Sequence, residues 1–401
     1  MHIESSRIHA VDALRGFALA GITIAHVLEQ FIGAPRPPGD AWGVEPTMLD
    51  SVIQAVGFLF ISGKFFSIFS LLFGISFAIM MMNAEARGQT FSGRFMWRLT
   101  LLFAIGLVHA LFYRGDILTV YALLGFSLPL FYRLSDKALW AIALLLFAGV
   151  ARVIYLALAS SESLLPFDYS PESPVVAEYI STLKTGSLLA VFHTNLMQGL
   201  LAKYDFQVAL FGRGYLTLAY FLVGIWLVRS GLVGDLAMRR AQVKKICLWS
   251  LAAAAVFTLL TLASFVTLPQ PLDMASWHFA MGITFYDLLG VAFTVTLVSG
   301  FLWIYLKNPA GRLNALAPYG RMALSNYLVQ TLIGTFIFYG WGLGLLGQLH
   351  EWQTLPLALV LIFIQIKLSA WWLKQYRYGP LEWLWRCGTY RQRLPLLRSN
   401  T

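Results

Sequence analysis

Charge is scarce in this 401-residue chain: 29 Lys and Arg with 19 Asp and Glu make up only 12% of it, roughly half the share in a soluble domain. That excludes an ordinary water-soluble fold. Cysteine is rarer still, and Cys247 and Cys387 alone exclude a disulfide framework and give no basis for a metal site. Apolar and polar side chains do not alternate, which excludes a lipid-facing β-barrel. Hydrophobic side chains fill the chain instead, at 58% and a mean hydropathy of +0.69. They come in runs of about 20 residues, the length a helix needs to cross a bilayer. The expected fold is all-α, a polytopic transmembrane bundle.

About ten spans can be placed, near 11–32, 62–82, 97–113, 117–132, 138–160, 206–229, 246–268, 279–306, 321–346 and 355–374. No cleavable leader is expected, because the first apolar run is long and carries Arg15 and His26. The net charge of +10 raises the question of nucleic acid, but its distribution answers it. Basic residues gather in alternate loops, with Arg87, Arg94 and Arg98 in one, Arg239, Arg240, Lys244 and Lys245 in another, and five arginines in the tail. The intervening loops are acidic or neutral, with Asp40, Glu45, Glu162, Asp168, Glu172 and Asp273. By the positive-inside rule both termini are expected in the cytoplasm. The partner is then the lipid bilayer and not nucleic acid.

The longest loop, 161–205, falls outside on this reading and divides a five-span half, 1–160, from a second five-span half, 206–401. Its start is rich in Ser and Pro, and its second half, 175–203, is expected to form one or two short helices over the outer face. The tail run Gly379-Pro380-Leu381-Glu382-Trp383-Leu384-Trp385-Arg386 suits an interfacial helix. Its aromatic face, like Trp371-Trp372, can meet lipid or a second copy of the chain.

The first span carries the most chemistry. Asp12, Arg15, His26 and Glu29 lie in or beside an apolar run, where charges are costly and mark functional candidates. Arg15 and His26 are eleven positions apart, three turns plus about 20°, so they share a helix face about 16 Å apart along its axis. His26 and Glu29, like Asp12 and Arg15, are three apart and within touching range. Other candidates are Lys64 at the start of the second span, His109 at the end of the third and Asp116 just beyond it. Asp287 lies two to three turns inside the eighth span and needs a partner, for which Arg152, Arg213 and Lys367 stand open. Arg94 and Arg98, four apart on one face, suit either phosphate contacts or a topology anchor.

Four runs carry a resemblance: Lys64-Phe65-Phe66-Ser67 through Leu72-Phe73-Gly74; His109 with Asp116-Ile117-Leu118 and Tyr121; Gly320-Arg321-Met322-Ala323-Leu324-Ser325-Asn326-Tyr327; and the run 378–386. Together they resemble the YeiB-like family of bacterial inner-membrane proteins, whose C-terminal half is the domain of unknown function 418. The N-terminal Asp12-Ala13-Leu14-Arg15-Gly16 with His26 is also similar, over this one helix, to membrane acyltransferases of the acyltransferase-3 and heparan-glucosaminide N-acetyltransferase kinds.

That second resemblance implies a donor and a site. Cytoplasmic acyl-CoA would set its phosphates near Arg15, Arg94 and Arg98 and present its thioester to His26. A hydroxyl or amine on a sugar or envelope acceptor would enter from outside. His26 would act as general base or acyl carrier and Glu29 would orient it. Lys64, His109 and Asn326 are candidates for the oxyanion donor, with Asp12, Asp116 and Asp287 in support. Two other readings stay open: a small-solute transporter built around Asp287, Lys367 and Arg152, and a structural or partner-binding membrane protein.

Overall fold

The computed structural model describes residues 9–34, 36, 42–88, 92–159, 163–164, 173–233, 239–269 and 271–398. Asp40, Glu162, Asp168, Glu172 and most of the Ser/Pro-rich start of the long loop lie outside them. Among the described residues the regular structure is helical, apart from an isolated bridge between Tyr376 and Leu397.

The first helix, α1 (His9–Leu28), has Asp12 in its first turn, where a carboxylate suits the positive end of the helix dipole. Thr47 and Asp50 form a capping box that starts α2 (Met48–Phe60), and a short turn leads into α3 (Phe65–Glu85). Then come α4 (Ser92–Phe112), α5 (Leu118–Gly125) and α6 (Leu128–Phe131). The next two, α7 (Asp136–Phe147) and α8 (Val150–Ala159), meet at a 54° bend where Gly149 takes a φ of +74°. The long loop holds α9 (Pro174–Thr185), α10 (Leu188–Thr194) and α11 (Leu200–Val208). The second half continues with α12 (Arg213–Arg229), α13 (Arg240–Val266) and α14 (Trp277–Tyr305). It closes with α15 (Leu316–Arg321), α16 (Ala323–Phe338), α17 (Glu351–Gln375) and α18 (Pro380–Tyr390).

This is a multi-pass membrane architecture, with six helices among the described residues long and apolar enough to cross a bilayer, or up to eight when each of two bent pairs counts as one span. The expected ten spans exceed that number for two physical reasons. The segment 117–132 is split into α5 and α6, and eight residues reach only about 12 Å of a hydrocarbon core about 30 Å thick. The segment 321–346 yields α16, with 16 residues, because the chain leaves the helix at Tyr339 and runs through turns to His350.

The hub is α1, which packs on α15, α17, α3, α16 and α14. It gets close to α15 because glycine faces glycine. A Cβ on Gly16 would strike the carbonyl of Leu316, and one on Gly320 the carbonyl of Asp12. Gly74 and Gly224 serve α3 and α12 in the same way, the small-residue contact typical of membrane helices. Gly16→Ala should therefore destabilise the protein by about 1–3 kcal/mol through overpacking. Gly290→Ala is the control, since nothing lies within 4 Å of its Cβ position; thermal unfolding in detergent should show a lowered midpoint for the first only.

Candidate functional site

At its far end α1 does not unwind at random. Gln30 and Phe31 both take left-handed backbone, with φ of 49° and 59°, a costly conformation for residues with a Cβ. Tertiary bonds hold them there. Gly347 N donates to Gln30 Oε1 (2.8 Å), Gln30 Nε2 donates to Leu349 O (3.1 Å), and Tyr339 OH donates to Phe31 O (2.6 Å). The reversal folds the Phe31 ring back against His26, at 5.4 Å between centroids. Tyr113 and Tyr327 close on the same imidazole at 5.0 and 6.1 Å. Inside this aromatic cage His26 Nδ1 is buried and has no hydrogen-bond partner among the described residues. Buried polar atoms are normally paired; this one is one of several among the described residues that are not, Lys64 Nζ being another.

Beyond the two tyrosines lies a second histidine. The rings of Tyr327 and Tyr113 pack on His109 at 4.8 and 6.4 Å. His109 Nδ1 is 2.8 Å from Asp116 Oδ1, and its Nε2 is 2.9 Å from Thr331 Oγ1. Asp116 is 1% exposed and also accepts from Leu118 N (3.1 Å), Thr119 N (3.0 Å), Thr119 Oγ1 (2.7 Å) and Lys203 Nζ (3.4 Å). Burial alone would raise its pKa. The hydrogen bond and charge of His109, the ammonium of Lys203 and the Thr119 hydroxyl outweigh burial and hold it at about 2. An ionised carboxylate only accepts, so His109 Nδ1 carries the proton. Lys203 comes from α11, which ties the long loop into the bundle.

Glu29 does not take the role the sequence suggests. α1 ends at Leu28, so the three-residue spacing no longer holds Glu29 beside His26. Its carboxylate meets Ser62 Oγ at 3.5 Å, and Arg36 and Arg213 are the cations acting on it. Lys64 is fully buried, with Nζ 4.1 Å over the Tyr286 ring and no hydrogen-bond partner among the described residues. Asp287 pairs with Arg152, which also donates to Leu210 O (2.6 Å), Thr284 Oγ1 (2.7 Å) and Phe211 O (3.2 Å). Of the three cations open as partners, Arg152 is the one bonded. Lys367 is exposed and lies over Phe363.

The other end of α1 holds different contacts. Arg15 bonds Asp12 (2.8 Å) and Ser76 (3.3 Å). The stripe between Arg15 and His26 is filled by Leu19 and Ile22, which are buried against Tyr319 and Tyr327. An extended thioester therefore has no open lane along this face. Arg94 lies over Tyr390 and Arg98 over Trp385, 5.6 and 3.6 Å from the ring centroids, so both are spent on docking α18. Asn326 donates from Nδ2 to Tyr319 O (3.2 Å) and Ser369 Oγ (2.9 Å). Both amide hydrogens are used, so it offers no donor to an oxyanion. Beside it, Glu382 of α18 accepts from Leu324 N (2.8 Å) and Ser325 N (3.0 Å), capping the first turn of α16.

The structure thus brings His26, His109 and Asp116 into one cluster and leaves Arg15, Arg94, Arg98, Asn326 and Asp12 elsewhere. The sequence reading missed Tyr113, Thr331 and Lys203 and gave Tyr327 no role. Tyr113 was findable, since it stands four residues after His109 and adjacent helical turns meet at that spacing. Lys203 was not, because only tertiary folding brings it to Asp116.

Comparison with known proteins places the chain. Residues 227–392 match the family described as "Protein of unknown function (DUF418)", which spans the helices from the end of α12 through α18. Over nearly its whole length the chain is similar to YxaH of Bacillus subtilis (strain 168), at 28% identity over 99% of this chain and 98% of that one. It is likewise 29% identical to a 39.9 kDa protein from the amylase 3' region of Bacillus acidopullulyticus, over 98% of this chain and 96% of that one. A third relative, YeiB of Escherichia coli (strain K12), is 29% identical over 98% of both chains. The two runs that cap and dock each other through Glu382 and Ser325 both fall inside the matched region, and the chain is thus similar to YeiB over nearly its whole length, with a DUF418 match in its C-terminal half.

Proposed function

We propose that the protein is an acyltransferase of the bacterial cytoplasmic (inner) membrane, moving an acyl group from cytoplasmic acyl-CoA to a hydroxyl or amine of a sugar or envelope acceptor at the outer face. The observation that carries this reading is His26: a buried imidazole nitrogen without a partner, caged by Phe31, Tyr113 and Tyr327. A nitrogen without a partner can accept a hydrogen bond, and then the proton, from a substrate hydroxyl or amine that enters the cage. In the step, the acceptor oxygen or nitrogen bonds the acyl carbonyl carbon while His26 receives its proton. The carbon–sulfur bond then breaks, and the proton passes to the departing thiolate. The His109–Asp116 pair, on the far side of the same tyrosines, holds the wall of the cage in place.

Because Leu19 and Ile22 fill the stripe above Arg15, the donor is taken to approach His26 by another side, and Arg15 is assigned to the Asp12 ion pair. The test is transfer of label from acetyl-CoA to envelope extract by the full protein reconstituted in vesicles. Label should appear in an acceptor fraction with wild type and vanish with His26→Ala. Wild-type inactivity across a broad panel of sugars, lipids and peptidoglycan fragments would sink the proposal.

A further inference from the structure

Away from this site, α13 and α14 pack chiefly on each other at the margin of the bundle, and only 17% of the most apolar stretch of α13 is buried. Their outer surface, with Ile246 and Ile304 half-exposed, is of the kind that meets lipid tails. At one end of the pair an open cleft of ≈ 460 Å³ is lined by Arg240, Ala241, Lys244, Trp303 and Lys307. Its cations come from α13 and from the turn just after α14 and converge on one indole: the ammonium groups of Lys307 and Lys244 lie 4.2 and 5.5 Å from the Trp303 ring. Among the described residues lining it, none is acidic.

Depth then selects the ligand. Lys244 stands two residues before Ile246, and Lys307 three after Ile304, so both lie about 3–5 Å beyond the lipid-facing rows. The headgroup layer on each side of a bilayer is about 5–8 Å deep, which puts Lys244 and Lys307 at the level of lipid phosphates, with Arg240 one turn farther out. The rule that cations gather at helix ends accounts for their sign. It does not account for two ammonium groups, one from α13 and one from the turn after α14, both closing on the Trp303 ring. The apolar surface continuing from the cleft along α13 and α14 favours a phosphate that carries acyl chains over a free one. We propose that this cleft binds the headgroup of an anionic phospholipid, its phosphate held by Arg240, Lys244 and Lys307 beside Trp303.

The test is native mass spectrometry of the full-length protein in detergent, with dioleoyl phosphatidylglycerol, dioleoyl phosphatidylcholine and inorganic phosphate as probes. Wild type should bind phosphatidylglycerol at least 10-fold more tightly than phosphatidylcholine. Lys244→Gln/Lys307→Gln should remove that preference, and Lys244→Arg/Lys307→Arg should keep it. Trp303→Phe, which changes no charge, should loosen the anionic lipid several-fold and covers the case in which the Gln pair fails to fold. Equal binding of the two lipids by wild type overturns the proposal. So does an equal loss in Lys137→Gln, an exposed cation outside the cleft, or displacement of the lipid by equimolar inorganic phosphate.

Discussion

Replacing His26 by alanine should lower the rate of acyl transfer by about 10²–10⁴-fold, the usual contribution of a positioned general base, while leaving the protein folded. That loss equals about 3–5 kcal/mol of barrier. The stability cost is smaller. Nδ1 makes no hydrogen bond to lose, and the edge-on contacts with Phe31 and Tyr113 are worth about 0.5–1.5 kcal/mol each. His26→Gln keeps a polar side chain without a base near neutral pH, and should be as inactive as alanine. Glu29→Gln should stay within a few-fold of wild type, because its carboxylate faces Ser62 and not the imidazole. The measurement is initial rate against thermal midpoint for the same reconstituted samples. Equal activity of His26→Ala and wild type would remove His26 from the chemistry; an inactive Glu29→Gln would restore the carboxylate to it.

The largest loss of stability should come from Asp116→Ala, about 3–5 kcal/mol, because it strands the Lys203 ammonium and the His109 ring in a buried site. Combining it with Lys203→Met should recover part of the loss, since the two groups are in contact and their effects do not add. The pH dependence follows from the same bonds. The Asp116 carboxyl is held at about 2 against an ordinary 3.8. A depressed acid lends stability above its unfolded value and loses it as pH falls through the folded one. Its contribution should therefore be constant from about pH 5 upward and disappear between about pH 4 and 2. Thermal midpoints of wild type and Asp116→Ala should converge over that window and run parallel above it. A gap that closes near pH 6 instead would assign the effect to a histidine.

What the sequence made legible was set by composition and spacing, and it failed where tertiary bonds override local pattern. Scarce charge and long apolar runs were enough for a helical membrane bundle, because lipid permits so few alternatives. Asp116 two residues before α5 and His109 one turn from the end of α4 were visible as neighbours across a tight turn. The departure of Glu29 from His26 was not visible, since nothing local marks Gln30 and Phe31 as left-handed; Gly347, Leu349 and Tyr339 impose it. Arg94 and Arg98 look like phosphate ligands until α18 is placed over them. The excess of expected spans has a similar origin: hydropathy reports that a segment is apolar, but not that α5 breaks after eight residues.

The cap that Glu382 places on α16 also orders events in time. The first turn of α16 waits for a carboxylate 57–58 residues downstream, which a ribosome adding about 5–20 residues per second delivers roughly 3–11 s later. Tyr327 and Thr331, the walls of the histidine site, belong to that helix. Newly made protein should therefore hold a complete α1 well before it holds a finished cage around His26, and a chain stopped short of residue 382 should insert into the membrane with the first turn of α16 uncapped, at a cost of about 1 kcal/mol.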